Sequence, residues 1–333
     1  MPRHTTSRGL LGHYSFRVCV DIHTSGSHKC DDGDASNPFR EGTIYKIISA
    51  VSKEARMGRI TQYYHATSLE DAFAKAKQLG PVAAYVGGGV ELVLCRNPEI
   101  TTLIDLSRCG LDYIAAAAEG IEIGSQTTLT TISRSADIRQ YAGGSLAYWA
   151  GRIAHNNLRD MITVGGVIGR NQPWNDVVPH LVALGTQVRL FDGAERIMPL
   201  SGYIEAKQPG VIIKGVLLPA GNAGSSGFLW RFTRTQQDIS TLHFSALVSC
   251  DGKVMTAANL VFAGRPGHAA LYPRLSQELV GKSLSHETFA RVAEMAPDLV
   301  EVGTDLRATG EFRRELVRAA IVNLEEHMTR VAQ

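Results

Sequence analysis

The apolar positions of the chain fall into a helical pattern soon after residue 67. Thr67 is followed three residues later by Glu70, which fits a capping box with Thr67 as the N-cap. Gly80–Pro81 ends the pattern, because neither residue favours the interior of a helix. The apolar residues that share one face of this helix are Leu69, Ala72, Phe73, Ala76 and Leu79. The pattern therefore predicts an amphipathic helix over residues 69–79.

Short strand-like runs alternate with helical segments in the part that follows. Val82–Val86 is an apolar run typical of a buried strand, and it leads directly into Gly87–Gly89. A further strand is predicted over Thr102–Leu106, and Tyr113–Ala117 together with Gly120–Ser125 predicts a hairpin. We therefore expect β/α alternation, with a glycine-rich turn directly after a strand.

The middle of the chain predicts two helices, near Thr130–Ile138 and Leu146–His155. Two strand-like runs follow them, at Gln187–Phe191 and Val211–Leu218. Gly221–Gly227 is rich in Gly, Ser and Asn, a composition typical of a loop, and we expect it to lie at a domain edge.

The remainder predicts a small sheet followed by helices. Strands over Leu242–Cys250 and Lys253–Phe262 flank Asp251-Gly252, a dipeptide that favours a type I′ hairpin turn. From about Arg274 the pattern is helical, and it ends in a long helix over Gly310–Val331. Strands followed by helices predict an α+β domain.

Residues 1–56 lack a helical or strand period and are rich in polar residues. Such a segment buries little apolar surface, and we expect it to be disordered. Two interpretations stay open: translation begins at Met57, or the segment is a docking tail. The rest of the chain divides into two predicted domains, over residues 57–228 and 229–333.

Composition excludes several classes of protein. The 333 residues carry 34 basic and 32 acidic side chains, so a net charge of +2 gives no reason to expect a nucleic-acid or membrane partner. The five cysteines lack the paired spacing of a disulfide framework, a zinc site or an iron–sulfur cluster. We expect no metal and a reducing cytoplasm. No run approaches the roughly 20 apolar residues that span a bilayer.

Two glycine clusters carry the candidate chemistry. Consecutive glycines at Gly87–Gly89 allow backbone N–H groups to converge on a phosphate, although an ordinary tight turn explains the same residues. In the second cluster, Gly165–Gly166 is followed ten residues later by Asp176, which lies between two prolines. A glycine-lined loop with a placed carboxylate suits the phosphate and ribose of a dinucleotide. The alternative is a loop that covers the core, with Asp176 stabilising a helix N-terminus.

These clusters resemble the FAD-binding medium subunit of the xanthine oxidase and carbon monoxide dehydrogenase family of molybdenum hydroxylases. A first loop of type A-G-G-T-D-L-L is matched by residues 87–93. A second, of type I-R-N-x-A-T-V-G-G-N-I-A followed by P-x-x-D-x-x-P, is matched by 158–169 and then by Pro173, Asp176 and Pro179. A third element, R-x-x-x-D-I-A, is matched by residues 234–239. The resemblance covers about residues 59–331.

The resemblance implies an α+β fold: a PCMH-type FAD-binding domain of two α/β subdomains, then an α+β C-terminal domain with a small antiparallel sheet and helices. It implies FAD as the cofactor, with the diphosphate between the first two loops, Asp176 helping to fix the cofactor and the flavin ring near Leu217. The candidate cofactor-binding residues are Val86, Gly87, Gly88, Gly89, Val90, Glu91, Leu92, Thr163, Gly165, Gly166, Ile168, Asp176, Leu217 and Trp230.

The chain departs from the family pattern at several positions. Val90 stands where the first loop usually has threonine, and Val167 where the second usually has asparagine, so each removes a side-chain hydrogen bond to the cofactor. Arg170, next to the second loop, could supply a phosphate contact. Trp230 replaces a frequent lysine, and it either packs on the flavin ring or fills the core.

The predicted function is electron transfer by an oxidoreductase subunit that needs no catalytic side chains of its own. The family implies a small partner with [2Fe–2S] clusters and a large molybdopterin partner, in a heterotrimer or a dimer of heterotrimers. Electrons from the clusters would pass through FAD to NAD, oxygen or a quinone. Two alternatives stay open: a degenerate, flavin-free assembly subunit, and a self-sufficient FAD oxidase, for which no acid or base candidates are found.

Overall fold

The computed structural model of the chain describes residues 60–94, 97, 99–206 and 208–332. The predictions for residues 1–56 lie outside the described residues. Within them the backbone forms three sheets, of three, five and four strands. None of the helices in these ranges is long and apolar enough to cross a bilayer.

The first sheet is parallel, with the strand order β1-β3-β2. Its strands are β1 (Gln62–His65), β2 (Ala83–Val86) and β3 (Thr102–Asp105). Helix α1 (Leu69–Leu79) connects β1 to β2, and α2 (Val90–Leu94) follows β2. Because the carboxyl ends of parallel strands meet at one edge, the turn after β2 lies at that edge, as the β/α alternation predicts.

Helix α1 has the predicted bounds, but the predicted cap is wrong by one residue. Ser68 has an extended backbone and its side chain accepts a hydrogen bond from the Asp71 N–H at 3.1 Å. The Asp71 carboxylate reaches back to the Thr67 N–H at 2.9 Å. Ser68 is therefore the N-cap, and Asp71 bonds the residue before it, because the chain becomes helical one residue later than the Thr67–Glu70 spacing suggests.

The second sheet is antiparallel, with the order β4-β5-β8-β6-β7. Its strands are β4 (Ile114–Ala117), β5 (Gly120–Gly124), β6 (Gln187–Phe191), β7 (Glu195–Pro199) and β8 (Ile212–Pro219). The helices of this region are α3 (Leu129–Arg134), α4 (Ala136–Gln140), α5 (Ser145–Ala150), α6 (Asn156–Arg159), α7 (Val164–Arg170), α8 (Val177–Ala183) and α9 (Leu200–Glu205). The predicted hairpin of β4 and β5 is confirmed.

Both predicted helices of this region are interrupted. Ser135 is extended between α3 and α4, and its hydroxyl accepts a hydrogen bond from the Ile138 N–H. The helix predicted to reach His155 ends at Ala150, and Ala154 then has a positive φ of 54°. A serine that caps a helix and a residue in the left-handed region each break a helical run, whatever the spacing of the apolar side chains.

The third sheet is antiparallel, with the order β12-β11-β10-β9. Its strands are β9 (Ser226–Phe232), β10 (Leu242–Asp251), β11 (Val254–Ala263) and β12 (Ala270–Leu271). Helices α10 (Pro273–Leu279), α11 (His286–Leu299) and α12 (Gly310–Val331) follow, and α12 has the predicted bounds. This α+β arrangement confirms the predicted fold class. The boundary predicted at residue 228 falls inside β9 and stays a prediction.

The turn between β10 and β11 differs from the type I′ prediction. Asp251 pairs with Val254, so the two turn residues are Gly252 and Lys253 rather than Asp251 and Gly252. Gly252 has a φ of 55°, but Lys253 does not have a positive φ, which type I′ requires at both positions. The register of β10 and β11 is also irregular between Ser249 and Cys250, two residues before the turn.

His180 is a fully buried histidine on α8, bonded through Nε2 to the Ser145 hydroxyl at 3.0 Å. Burial, and secondarily the nearby His243, lower the pKa of His180 to about 3 from an ordinary 6.5. Between about pH 3 and pH 6.5, His180 is therefore protonated in the unfolded chain and neutral in the folded chain. The stability from a neutral His180 is complete above pH 6.5 and is lost as the pH falls towards 3.

We expect the His180→Gln variant to lose less stability on acidification than the unsubstituted chain. The difference should be about 3 kcal/mol in the free energy of unfolding between pH 7 and pH 4.5. Denaturant unfolding at the two pH values measures it. His286→Gln is the control, because this side chain is 84% exposed and its contact with Glu325 should contribute no more than about 0.5 kcal/mol. Equal acid sensitivity of the His180 variant and the unsubstituted chain would contradict the assignment.

Candidate functional site

The two glycine loops meet at one cleft. A Cβ on Gly87 would lie 2.6 Å from Thr163 Oγ1, and a Cβ on Gly88 would lie 1.4 Å from the Met161 carbonyl oxygen. The backbones of the two loops therefore touch where any side chain would prevent it. A cleft of about 590 Å³ lies at this junction, which is within the usual range for a small-molecule site.

Most of the predicted site residues line this cleft. They are Gly87, Gly88, Gly89, Val90, Glu91, Leu92, Thr163, Gly165, Gly166 and Asp176. Four others do not. Val86, Ile168 and Leu217 are buried in the core, because alternation along a strand or a helical turn points them inward. The fourth, Trp230, packs against the C-terminal core.

The first loop offers backbone donors. Val86 is held by its carbonyl, which accepts a hydrogen bond from the Leu106 N–H at 3.3 Å. After it, the N–H groups of Gly87, Gly88 and Gly89 have no acceptor among the described residues. Gly89 has a φ of 72°, which a side chain would disfavour. The three residues line the cleft, so it is bordered by three consecutive backbone donors without an internal partner, as an anion site requires.

The second loop is also rich in glycine, but its backbone N–H groups are bonded within the chain. Thr163 caps α7 by accepting a hydrogen bond from the Gly166 N–H at 3.2 Å. The Val164 N–H donates to the Thr127 carbonyl at 3.0 Å, and the Gly165 N–H donates to the Ser125 carbonyl at 2.8 Å. These donors are already satisfied, so the loop forms a wall rather than a set of backbone donors. A Cβ on Gly165 would lie 2.5 Å from the Ser125 Cβ, which explains the glycine by packing.

Asp176 is a buried carboxylate at the edge of the cleft. Its oxygens accept hydrogen bonds from Arg231 Nη1 at 2.7 Å, from the Ser240 hydroxyl, and from His243 Nδ1 at 3.2 Å. Burial alone would raise the pKa of Asp176, but the hydrogen bond and charge of His243, with Arg231, lower it below its ordinary value. Asp176 is thus held as a carboxylate in a network that ties the second loop to the third sheet.

Asp176 lies at the N-terminus of α8, as the alternative interpretation predicts, where its charge suits the helix dipole. Asp176 occupies the N-cap position of α8 without a side-chain capping bond. The neighbouring Asn175 does this instead, because its Oδ1 accepts hydrogen bonds from the N–H groups of Val177 and Val178 at 2.8 and 3.0 Å. The Asp176 side chain is therefore directed to the network and not to the helix.

Charged side chains around the cleft are largely paired with one another. Arg170 Nε donates to Glu91 Oε2 at 2.7 Å, which ties the end of α7 to the first loop. Asp238, in the third element of the family pattern, accepts a hydrogen bond from Arg234 Nε at 2.9 Å. The Arg231 Nη2 donates to the Gln236 carbonyl beside it. Because these charged groups are paired with one another, we expect the backbone N–H groups of the first loop to contribute most of the hydrogen bonds to a bound anion.

Trp230 belongs to the third sheet and not to the cleft. It lies opposite Phe244 in the register of β9 and β10, and it packs against the C-terminal core. We expect Trp230→Ala to lower the free energy of unfolding by about 2 kcal/mol through lost packing. FAD affinity should stay within about twofold, since no contact with the cleft is removed. Denaturant unfolding and FAD titration of the same variant measure both; a large loss of affinity alone would restore the stacking interpretation.

Several residues that line the cleft were not predicted. They include Ser125, Gln126, Ile153, Ala154 and Tyr203. None belongs to a motif of fixed spacing. Ser125 is held at the cleft by a hydrogen bond between distant segments, since its carbonyl accepts from the Gly165 N–H. Among the described residues no group of three metal-binding side chains occurs.

Comparison with known proteins assigns the chain to a family. Residues 57–221 match the family described as "FAD binding domain in molybdopterin dehydrogenase", and residues 230–326 match "CO dehydrogenase flavoprotein C-terminal domain". A comparison with curated protein sequences finds no match.

Solved structures share the fold. A chain of the carbon monoxide dehydrogenase from Hydrogenophaga pseudoflava that lacks the Mo-pyranopterin moiety of the molybdenum cofactor matches with a TM-score of 0.74 and 22% identity, over 79% of this chain and 94% of its own. A chain of quinoline 2-oxidoreductase from Pseudomonas putida 86 matches with a TM-score of 0.73 and 20% identity, over 82% and 96%. The two matched domains span most of the chain, and they show that the protein belongs to the FAD-binding medium subunits of the molybdenum hydroxylases, a family of oxidoreductase flavoprotein subunits.

Proposed function

We propose that the chain is the electron-transfer subunit of a molybdenum hydroxylase, and that FAD binds in the cleft between the two glycine loops. The observation that carries this proposal is the row of backbone donors at Gly87–Gly89, which face no acceptor among the described residues. Bound FAD supplies redox chemistry that accepts electrons singly and releases them singly or in pairs. The chain itself binds and orients the cofactor.

The residues of the cleft fit a dinucleotide. Gly87–Gly89 donate to the diphosphate, and the second loop lines the same cleft at Thr163 and Gly165–Gly166. Glycine is required at Gly88 because the Met161 carbonyl occupies the place of a side chain. Asp176 acts through its hydrogen-bond network, which fixes the second loop against the third sheet. A preformed site of this kind loses little entropy when a ligand binds.

The proposal extends to partners that lie outside this chain. A small subunit with [2Fe–2S] clusters delivers electrons, a large molybdopterin subunit oxidises the substrate, and an external acceptor removes the electrons. The match to chains of carbon monoxide dehydrogenase and quinoline 2-oxidoreductase supports membership in an oxidoreductase complex. The proposal places the complex in the cytoplasm, as a heterotrimer or a dimer of heterotrimers. The substrate is selected on the large partner.

Purification of the full chain with and without its co-expressed partners tests the proposal. We expect one FAD per chain, a flavin absorbance spectrum, and bleaching of that spectrum when substrate is added to the complete complex. Bleaching should be absent with the isolated chain. A chain that assembles with both partners but neither retains nor takes up FAD would support the assembly-subunit alternative. Turnover of a substrate by the chain alone would support the oxidase alternative.

A further inference from the structure

The side chain of Ser125 is a buried donor without a partner. The residue is 2% exposed, and its hydroxyl has no hydrogen-bond partner among the described residues. Ser125 nevertheless lines the cleft. A buried hydroxyl without a partner costs free energy that folding alone does not recover, so a ligand that supplies an acceptor would relieve this cost.

The backbone of Ser125 is fixed on both sides. Its N–H donates to the Lys214 carbonyl at 2.9 Å, and its carbonyl accepts a hydrogen bond from the Gly165 N–H at 2.8 Å. The Cβ of Ser125 fills the space that a side chain at Gly165 would need. Ser125 is therefore held directly against the second loop, and only rotation about its side-chain bond is left to direct the hydroxyl.

The Ser125 hydroxyl supplies a hydrogen-bond donor on the side of the cleft formed by the second loop, which has few free donors of its own. The N–H groups of Val164, Gly165 and Gly166 are all bonded within the chain, so that wall presents few backbone donors. A hydroxyl beside Gly165 adds a donor from the second loop side to the cleft that Gly87–Gly89 also line. A diphosphate carries several acceptor oxygens, and donors from both loops hold it more tightly than donors from one.

We propose that Ser125 is a cofactor-binding residue whose hydroxyl donates a hydrogen bond to the diphosphate of the dinucleotide in the cleft. This inference rests on the proposed function, since it takes FAD as the ligand. A cofactor-binding role and a packing role predict different effects when the hydroxyl is removed. A cofactor-binding role predicts weaker FAD binding with no loss of stability in the ligand-free protein, because no internal hydrogen bond is lost.

Ser125→Ala in the full chain tests the inference, with Ser133→Ala as the matched control. The Ser133 hydroxyl donates to the Thr130 carbonyl at 2.8 Å, and Ser133 does not line the cleft. The apoprotein is titrated with FAD, and binding is followed by flavin fluorescence. We expect the Kd of Ser125→Ala to rise about tenfold, in line with a hydrogen bond to a charged group. The control should keep the Kd of the unsubstituted chain.

Thermal unfolding of the ligand-free proteins supplies the second readout. The Tm of Ser125→Ala should equal or exceed that of the unsubstituted chain, whereas Ser133→Ala should have a slightly lower Tm. An unchanged Kd for Ser125→Ala overturns the inference while leaving the proposed function intact. A lowered Tm with a raised Kd also overturns it, because the loss is then structural. Failure of the unsubstituted chain to bind FAD overturns the proposed function and, with it, this inference.

Discussion

Replacement of Gly88 by alanine is expected to lower FAD affinity at least about tenfold and to destabilise the fold by about 3 kcal/mol. The added Cβ would lie 1.4 Å from the Met161 carbonyl oxygen, and both groups belong to backbone. Neither can turn aside as a flexible side chain could, so the two loops must separate. Separation removes the close approach on which the shape of the cleft depends.

FAD titration and denaturant unfolding measure the two effects. Gly224→Ala is the matched control, because a Cβ there meets no atom within 4 Å and the residue does not have a positive φ. We expect the control to bind FAD with unchanged affinity and to be at least as stable, since alanine restricts the unfolded chain. Equal affinity of Gly88→Ala and Gly224→Ala would show that the contact between the loops is not needed for the cofactor.

Replacement of Arg313 by methionine is expected to lower the free energy of unfolding by about 3–5 kcal/mol. The side chain is fully buried at the start of α12. It donates to the carbonyl oxygens of Thr241, Gly303 and Ala308 at 3.1, 2.6 and 3.1 Å, and to Asp305 Oδ1 at 2.7 Å. Methionine fills similar space but leaves all four acceptors without this donor.

Asp305 reports on the same contact. Burial alone would raise its pKa, but the hydrogen bond from Arg313 and those from the backbone of Arg307 and Ala308 lower the pKa below its ordinary value. Arg318→Met on the same helix is the control, because its ion pair with Glu315 is exposed and should contribute no more than about 0.5 kcal/mol. Denaturant unfolding compares the two variants; similar stabilities would refute the role assigned to Arg313.

The sequence predicts those parts of the fold in which local pattern and tertiary packing agree. Helices α1 and α12 and strand β6 have their predicted bounds. Each has a regular apolar period over its full length, so burial of one face selects one structure. The hairpins of β4 with β5 and of β10 with β11 are also found, since alternation in both strands favours their pairing, although the turn between β10 and β11 lies one residue further along than predicted.

Elements that depend on distant partners are not predictable in this way. Strand β9 begins at Ser226, in a segment rich in Gly and Ser, because β10 provides its hydrogen-bond partners. Strand β7 (Glu195–Pro199) is not predicted, because none of its residues is fully buried and its sequence shows no clear apolar alternation. Its pairing with β6 defines it as a strand. Local propensity is a weak guide where a neighbouring strand supplies the stabilising contacts.

The candidate site shows the same division. Both glycine loops are visible in the sequence, and most of their predicted residues line one cleft. Their different roles are not visible, because the N–H groups of the second loop are satisfied by Ser125 and Thr127, about forty residues away along the chain. The role of Ser125 is hidden for the same reason, since Ser-Gln-Thr at 125–127 carries no motif. A glycine cluster therefore indicates that two backbone segments approach closely. Only the hydrogen-bond partners distinguish a loop whose N–H groups are free for a ligand from a loop whose N–H groups are already bonded.

Amide hydrogen exchange with and without FAD tests the central claim most directly, because it reads the backbone donors themselves. The account predicts that FAD slows exchange in the segment that contains Gly87–Gly89, whose N–H groups have no acceptor among the described residues. It predicts a much smaller change at Val164–Gly166, whose N–H groups are already bonded. Saturating FAD that leaves Gly87–Gly89 unprotected, or that protects only the second loop, would contradict the account.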